Sequence, residues 1–352
     1  MLKRHLADSS LPAARALVHD LFRRNAAIYW VDFLVSLTIG YSAAIAYLYA
    51  PVGLPGKALA LVVAALALYR VSSFMHEIVH FKRHEMRSFT VVWNILAGIP
   101  LLTPSTFYES HAAHHNTHRY GTEGDGEYLP LAHGKTSDLA LYILQIFVQP
   151  VIVFLRFLLA PVTFLHPRLR RWTLEHASSF VINFRYRRPI PENAPLRIWA
   201  LLELGCSARA WVLLLKLSLG FGPWIELPKL YSIAMLALAL NHIRTLGAHH
   251  YRNLGSRMTH TEQLLDSTNI RGGWLTELLC PLGLRYHALH HLFPGLPYHN
   301  LGRAHRRLMK SLPANAPYRK VEYPTFIAVM REFWRYRREA ASEPAAASLT
   351  SH

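Results

Sequence analysis

Apolar positions along this chain gather in long unbroken runs, and those runs set its architecture. From Ala26 to Ala50 nearly every residue is apolar. At a rise of 1.5 Å per residue, such a run crosses a hydrocarbon core of about 30 Å. Asp32 lies near the start of this run, at headgroup depth. The segment Pro51-Val-Gly-Leu-Pro55-Gly56-Lys57 reads as a turn, after which residues 58–75 return across the bilayer. A second hairpin is expected from 205–222 and 230–246, turning near Gly220 to Lys229. Two other apolar stretches are interrupted by proline. Phe89 to Phe107 holds Pro100 and Pro104, and Leu139 to Leu165 holds Pro150, Arg156 and Pro161. Both are expected to be re-entrant or interfacial. The predicted fold is an all-α integral membrane protein, with four transmembrane helices in two hairpins, interfacial helices and a cytoplasmic cap. It forms a single domain over residues 1–338, followed by an Ala/Ser-rich tail, 339–352, expected to be disordered.

Composition supports this reading. Of 352 residues 52% are hydrophobic and only 17% charged, too few charges to coat two soluble domains of this length. Lys+Arg outnumber Asp+Glu by 38 to 21, a net charge of +17. The presumed outer loops carry little beyond Lys57 and Lys229, which places the termini and the polar segments in the cytoplasm. The first residues are basic and amphipathic (Lys3, Arg4, Arg15, Arg23, Arg24), and no short apolar core with a cleavage site follows, so no secretory signal peptide is expected. Two cysteines, Cys206 and Cys280, exclude a disulfide framework and a thiolate-built zinc site. The topology accounts for the basic residues, and no nucleic-acid motif accompanies them.

Histidine is the outlier, with 22 copies. They concentrate in three boxes: His76-Glu77-Ile-Val-His80, His111-Ala-Ala-His114-His115 and His287-Ala-Leu-His290-His291. Residues three and four apart share a helix face, so each box aims its imidazoles in one direction. Neutral imidazoles beside apolar spans are reconciled with burial by ligating metal. Depth suggests a ninth ligand. Nineteen residues separate Lys57 from His76 and twenty separate Lys229 from His249, about 28 and 30 Å of helix, so both histidines emerge at one level. His249 is therefore favoured over His242 and His250. Asn241, two turns earlier, is a candidate for holding a metal-bound water or for a helix–helix hydrogen bond. Glu77, Glu109, Asp125, Asp266 and Asn269 are candidates to orient imidazole N–H groups. His84 and His118 continue box faces but read as outer or solvent-facing residues. His299 and His305 read as surface or structural.

Box one also fits HExxH, the zinc-protease signature. A catalytic zinc takes three protein ligands and would leave both HxxHH boxes unexplained. A histidine-rich transporter would place its ligands near the bilayer midplane, not at the boundary where these boxes fall. Eight or nine nitrogens are enough for two metals, and imidazole suits iron, zinc, copper and nickel; two redox-active metals beside an apolar chain point to O2 activation.

The boxes, their order and the paired hairpins resemble the membrane fatty acid desaturase/hydroxylase superfamily of histidine-box di-iron enzymes. The resemblance covers roughly Met75 to Leu308. Arg244-Thr-Leu-Gly-Ala-His249-His-Tyr-Arg-Asn253 and the run from Gly283 through His287, His290 and His291 to His299 are similar to bacterial fatty acid desaturases. The resemblance implies two irons held by His76, His80, His111, His114, His115, His249, His287, His290 and His291. It implies O2-dependent insertion of a double bond into a fatty acyl chain linked to lipid, CoA or carrier protein. Hydroxylase, acetylenase and ketolase outcomes belong to the same class. Two distant cysteines cannot hold an iron–sulfur cluster, so electrons are expected from a separate donor, such as a ferredoxin or a cytochrome b5 type with its reductase. The basic runs Arg303–Arg307 and Arg331–Arg338 are candidates to dock such a donor, an acyl carrier protein or anionic lipid. The expected location is the bacterial inner membrane.

Overall fold

The computed structural model describes residues 10–82 and 84–342. Lys3, Arg4 and the end of the tail lie outside the described residues. The protein is an all-α integral membrane protein with almost no sheet. The helices that matter for the site are α1 (Ala26–Tyr49), α2 (Leu54–Val79), α3 (His111–His114), α4 (Thr136–Leu158), α5 (Leu196–Ser218), α6 (Glu226–Leu246), α7 (His287–Leu292), α8 (Tyr298–Ser311) and α9 (Phe326–Ser342). Their residues fall into two compact units. A hairpin unit comprises 23–112 and 143–242, and a loop-rich unit the remainder.

In the hairpin unit, Asn25 caps α1 by accepting the Ala27 N–H at 3.0 Å. Gly53 and Pro55 open α2, with proline at a position whose N–H has no helical partner. Helix α2 therefore begins earlier than expected and runs on through box one, with His80 as its C-cap. The two helices approach closely at Gly40, where a Cβ would stand 2.6 Å from Leu68 Cδ2. Asp32 is not left to the headgroups. Arg70 on α2 donates to it twice, at 2.7 and 2.5 Å, so the pair neutralises both charges within the hairpin. Tyr29, Phe33, Phe74, Phe81 and Phe89 interlock edge to face beneath box one.

Four helices are long and apolar enough to cross a membrane: α1, α2, α4 and α5, with mean hydropathies of 1.6, 1.9, 2.0 and 1.6. The number matches expectation but the membership does not. Helix α6 covers the expected 230–246 span yet falls short in hydropathy, because Glu226, Lys229, Asn241, His242 and Arg244 dilute it. Helix α4 was expected to break at Pro150 and instead continues through it. The Tyr231 hydroxyl donates to the Phe147 carbonyl at 3.0 Å, beside the Ile146 carbonyl that Pro150 deprives of a backbone donor. Arg156 is absorbed by the Ala177 carbonyl, Ser178 and Glu203. The Phe89–Phe107 stretch is broken as expected, into a short helix (Arg87–Trp93), a π-helical turn (Asn94–Gly98) and a 3-10 turn (Ser105–Tyr108).

In the loop-rich unit, β1 (Asn269–Ile270) pairs in parallel with β2 (Glu322–Tyr323). Asn300 on α8 donates to the Leu21 carbonyl at 2.7 Å, and Arg307 pairs with Asp20. Residues 339–342, expected to belong to the disordered tail, instead finish α9. Buried Val329 and Phe333 tie this helix down.

Candidate metal centre

Box one sits where α2 ends. His76 and His80 are one turn apart, and the helix sets both directions. In the same unit His111 meets them, with ring centroids 4.6 Å from His76 and 5.2 Å from His80. Tyr108 stacks on His111 at 4.8 Å and 15°. One nitrogen from each of these three imidazoles lies within 4.8 Å of the others. Glu77, between the box-one histidines, is buried and accepts the Tyr29 hydroxyl.

The loop-rich unit holds the rest. His114, His249, His287 and His291 present nitrogens within 4.8 Å of one another. His114 Nε2 is 3.1 Å and His287 Nε2 2.8 Å from His249 Nε2, and His291 Nε2 is 3.1 Å from His287 Nε2. His115 and His290 form a second pair, Nε2 to Nε2 at 3.0 Å.

Hydrogen bonds on the far nitrogens decide what the near ones can do. Asp125 Oδ2 is 2.8 Å from His114 Nδ1 and also accepts the Gly121 N–H. A carboxylate only accepts, so His114 Nδ1 donates and its Nε2 carries a lone pair. The turn that places Asp125 needs Gly121 at φ +69°, where a Cβ would stand 2.4 Å from Asn253 Nδ2. Burial and the neighbouring histidines hold His249 and His287 well below the ordinary imidazole range, so both are neutral. Burial also opposes protonation of His114, but Asp125 outweighs it and the net direction is upward. Imidazole nitrogens converging near 3 Å in a buried site form a cradle that a cation can occupy. The donor set, imidazole nitrogen throughout, fits a first-row transition metal such as iron.

The remaining expectations sort cleanly. The structure brings His249, not His242 or His250, into the four-histidine group. His242 faces the Leu238 carbonyl and Gln145, and His250 Nε2 faces the Tyr323 hydroxyl at 3.2 Å. Asn241 is half-buried on α6. Asp266 reaches His249 through a relay: Tyr120 donates to Asp266 at 2.7 Å and stands 2.8 Å from His249 Nδ1. Asn269 does not orient an imidazole by any bond among the described residues. Its Oδ1 accepts the Leu289 N–H at 3.1 Å and so caps the box-three helix α7. Glu109 is taken by Arg188 at 2.8 Å and Trp199 at 3.3 Å. His84 and His118 are exposed, and buried His305 bonds Tyr318 at 2.8 Å. Tyr120 was missed. The one signal near it is the Gly/Asp-rich turn Gly121-Thr-Glu-Gly-Asp125-Gly126 following box two, in a chain poor in acids.

Residues 53–322 match the model of the fatty acid desaturase family. Over 342 residues, 94% of this chain and 96% of the relative, the sequence is 39% identical to the ceramide hydroxylase of Caulobacter vibrioides (strain NA1000 / CB15N).

Proposed function

This chain belongs to the fatty acid desaturase family, and from that premise we propose that it is a di-iron hydroxylase of a ceramide-type lipid. It would consume O2 and two electrons from a separate donor and add one hydroxyl to the hydrocarbon part of the lipid. The observation that carries the choice of hydroxylation over desaturation is the 39% identity to a ceramide hydroxylase across nearly the whole of both chains. Desaturation, the outcome favoured by sequence alone, becomes the second reading, supported by the family's name.

In this reading His76, His80, His111, His114, His115, His249, His287, His290 and His291 hold two irons. When bound, iron supplies the O2 chemistry that an unactivated C–H bond demands. The chain's own residues do the rest. Burial keeps His249 and His287 neutral, as metal binding requires. Asp125 fixes the His114 tautomer. Burial of His76 and His111 in the one unit, and of His114, His249, His287 and His290 in the other, keeps water from each histidine group. Exposed Arg303, Arg306, Arg331, Arg335 and Arg338 suit an acidic donor such as a ferredoxin or a cytochrome b5 type protein. The enzyme works in the bacterial inner membrane with its histidines on the cytoplasmic side. The protease reading loses ground, because Glu77 already accepts the Tyr29 hydroxyl.

The test is turnover of ceramide by the purified protein under isotopically labelled O2, with a reductase and donor supplied. A product gaining one labelled oxygen atom is expected. A product that loses two hydrogens and gains no oxygen would make the enzyme a desaturase instead.

A further inference from the structure

Tyr120 lies fully buried in the loop-rich unit, its ring 5.0 Å from His114, 5.4 Å from His291 and 5.6 Å from His249. Its hydroxyl bridges two groups, Asp266 Oδ2 at 2.7 Å and His249 Nδ1 at 2.8 Å. The direction of the protons follows from the partners. Asp266 accepts, so the Tyr120 proton goes to the carboxylate and the Tyr120 oxygen is left as an acceptor. Ser267 Oγ, the other neighbour of His249 Nδ1 at 3.2 Å, commits its own proton to the Gln263 carbonyl. His249 Nδ1 therefore faces two acceptors and must carry the hydrogen. Its Nε2, pointing at His114 and His287, is the bare nitrogen.

We infer that Tyr120, backed by Asp266, is a positioning residue that fixes His249 in the tautomer whose Nε2 can take a metal. The inference rests on the four-histidine group being a metal site. His249 needs such a partner more than the others do. It comes just after the end of α6, and no helical repeat links it to another ligand, whereas His287 and His291 share α7. A hydroxyl interposed between carboxylate and imidazole gives the orientation of a direct pair, with Asp266 Oδ2 held 3.8 Å from His249 Nδ1.

Cobalt(II) titration of metal-free protein in detergent, followed by its visible absorption, reads each site without turnover. The wild-type protein should take up two equivalents. Tyr120→Phe, which keeps the ring, should weaken one equivalent by roughly 10–100-fold and leave the other unchanged, with the melting temperature little altered. Tyr128→Phe is the control. The Tyr128 hydroxyl also bonds Asp266, and no hydrogen bond joins it to His249 among the described residues. This variant should leave both equivalents tight. Equal cobalt binding by Tyr120→Phe and wild type would overturn the inference, as would an equal loss in Tyr128→Phe. Should Tyr120→Phe fail to fold, Asp266→Asn must weaken the same single equivalent, and unchanged binding there counts against the inference. A wild-type protein that takes up no cobalt would sink the metal-site reading itself.

Discussion

The two histidine groups reach convergence by different means. In the hairpin unit, two of three imidazoles come from successive turns of one rigid helix, and the third is set by stacking on Tyr108. In the loop-rich unit, four imidazoles come from three distant stretches of chain, around residues 114, 249 and 287–291. A helix supplies orientation through its backbone. Helix α7 does so for His287 and His291, but His114 and His249 come from other stretches, and there Asp125, Tyr120 with Asp266, and Ser267 supply it through hydrogen bonds. The lesson is that hydrogen-bond partners matter most where secondary structure contributes least.

The largest effect should come from the loop-rich group's central histidine. His249→Ala is expected to abolish activity and lower metal content by about one ion per chain, while His250→Ala keeps both ions. Elemental analysis of the two purified variants checks this, and a full complement in His249→Ala would break the assignment. Next comes Asp125→Asn, which offers His114 Nδ1 an ambiguous partner. A loss of roughly 10–100-fold in metal affinity is expected. Its counterpart in the other group is Tyr29→Phe, which removes the hydroxyl on Glu77 but leaves the helix that aims His76 and His80. Only a few-fold loss of turnover is expected, and Glu77→Gln should likewise cost only part of the activity. A Tyr29→Phe loss matching that of Asp125→Asn would erase the contrast drawn above.

A separate effect concerns acid stability of the loop-rich unit. Burial holds His305 down at about 4, against an ordinary 6.5. The unfolded chain takes up this proton below 6.5 and the folded chain does not, so the stability is present above 6.5 and lost as pH falls toward 4. The shift corresponds to on the order of 3 kcal/mol. Thermal melts at pH 7 and pH 5 should show a larger drop for wild type than for His305→Gln.

Much of this was legible in the sequence, and the reasons are specific. Box histidines three and four apart announce a shared face whatever the fold. The level of His249 followed from counting residues back to Lys229. Helix α4 runs on where Pro150 and Arg156 look like interruptions in the sequence, and the partners that absorb Arg156, Ser178 and Glu203, lie far along the chain. Asn269 was one of five candidates to orient an imidazole, and nothing in the sequence separates them. Only the fold places it under the amide of Leu289. Tyr120 carries no spacing signal, since its partners are more than a hundred residues away.

Metal content per chain is the most direct test of the central claim. Protein expressed with iron supplied, purified in detergent and analysed for metals should contain about two irons and little zinc, and its ceramide turnover should follow the iron. One zinc per chain with no iron, and no activity after iron reconstitution, would contradict the account.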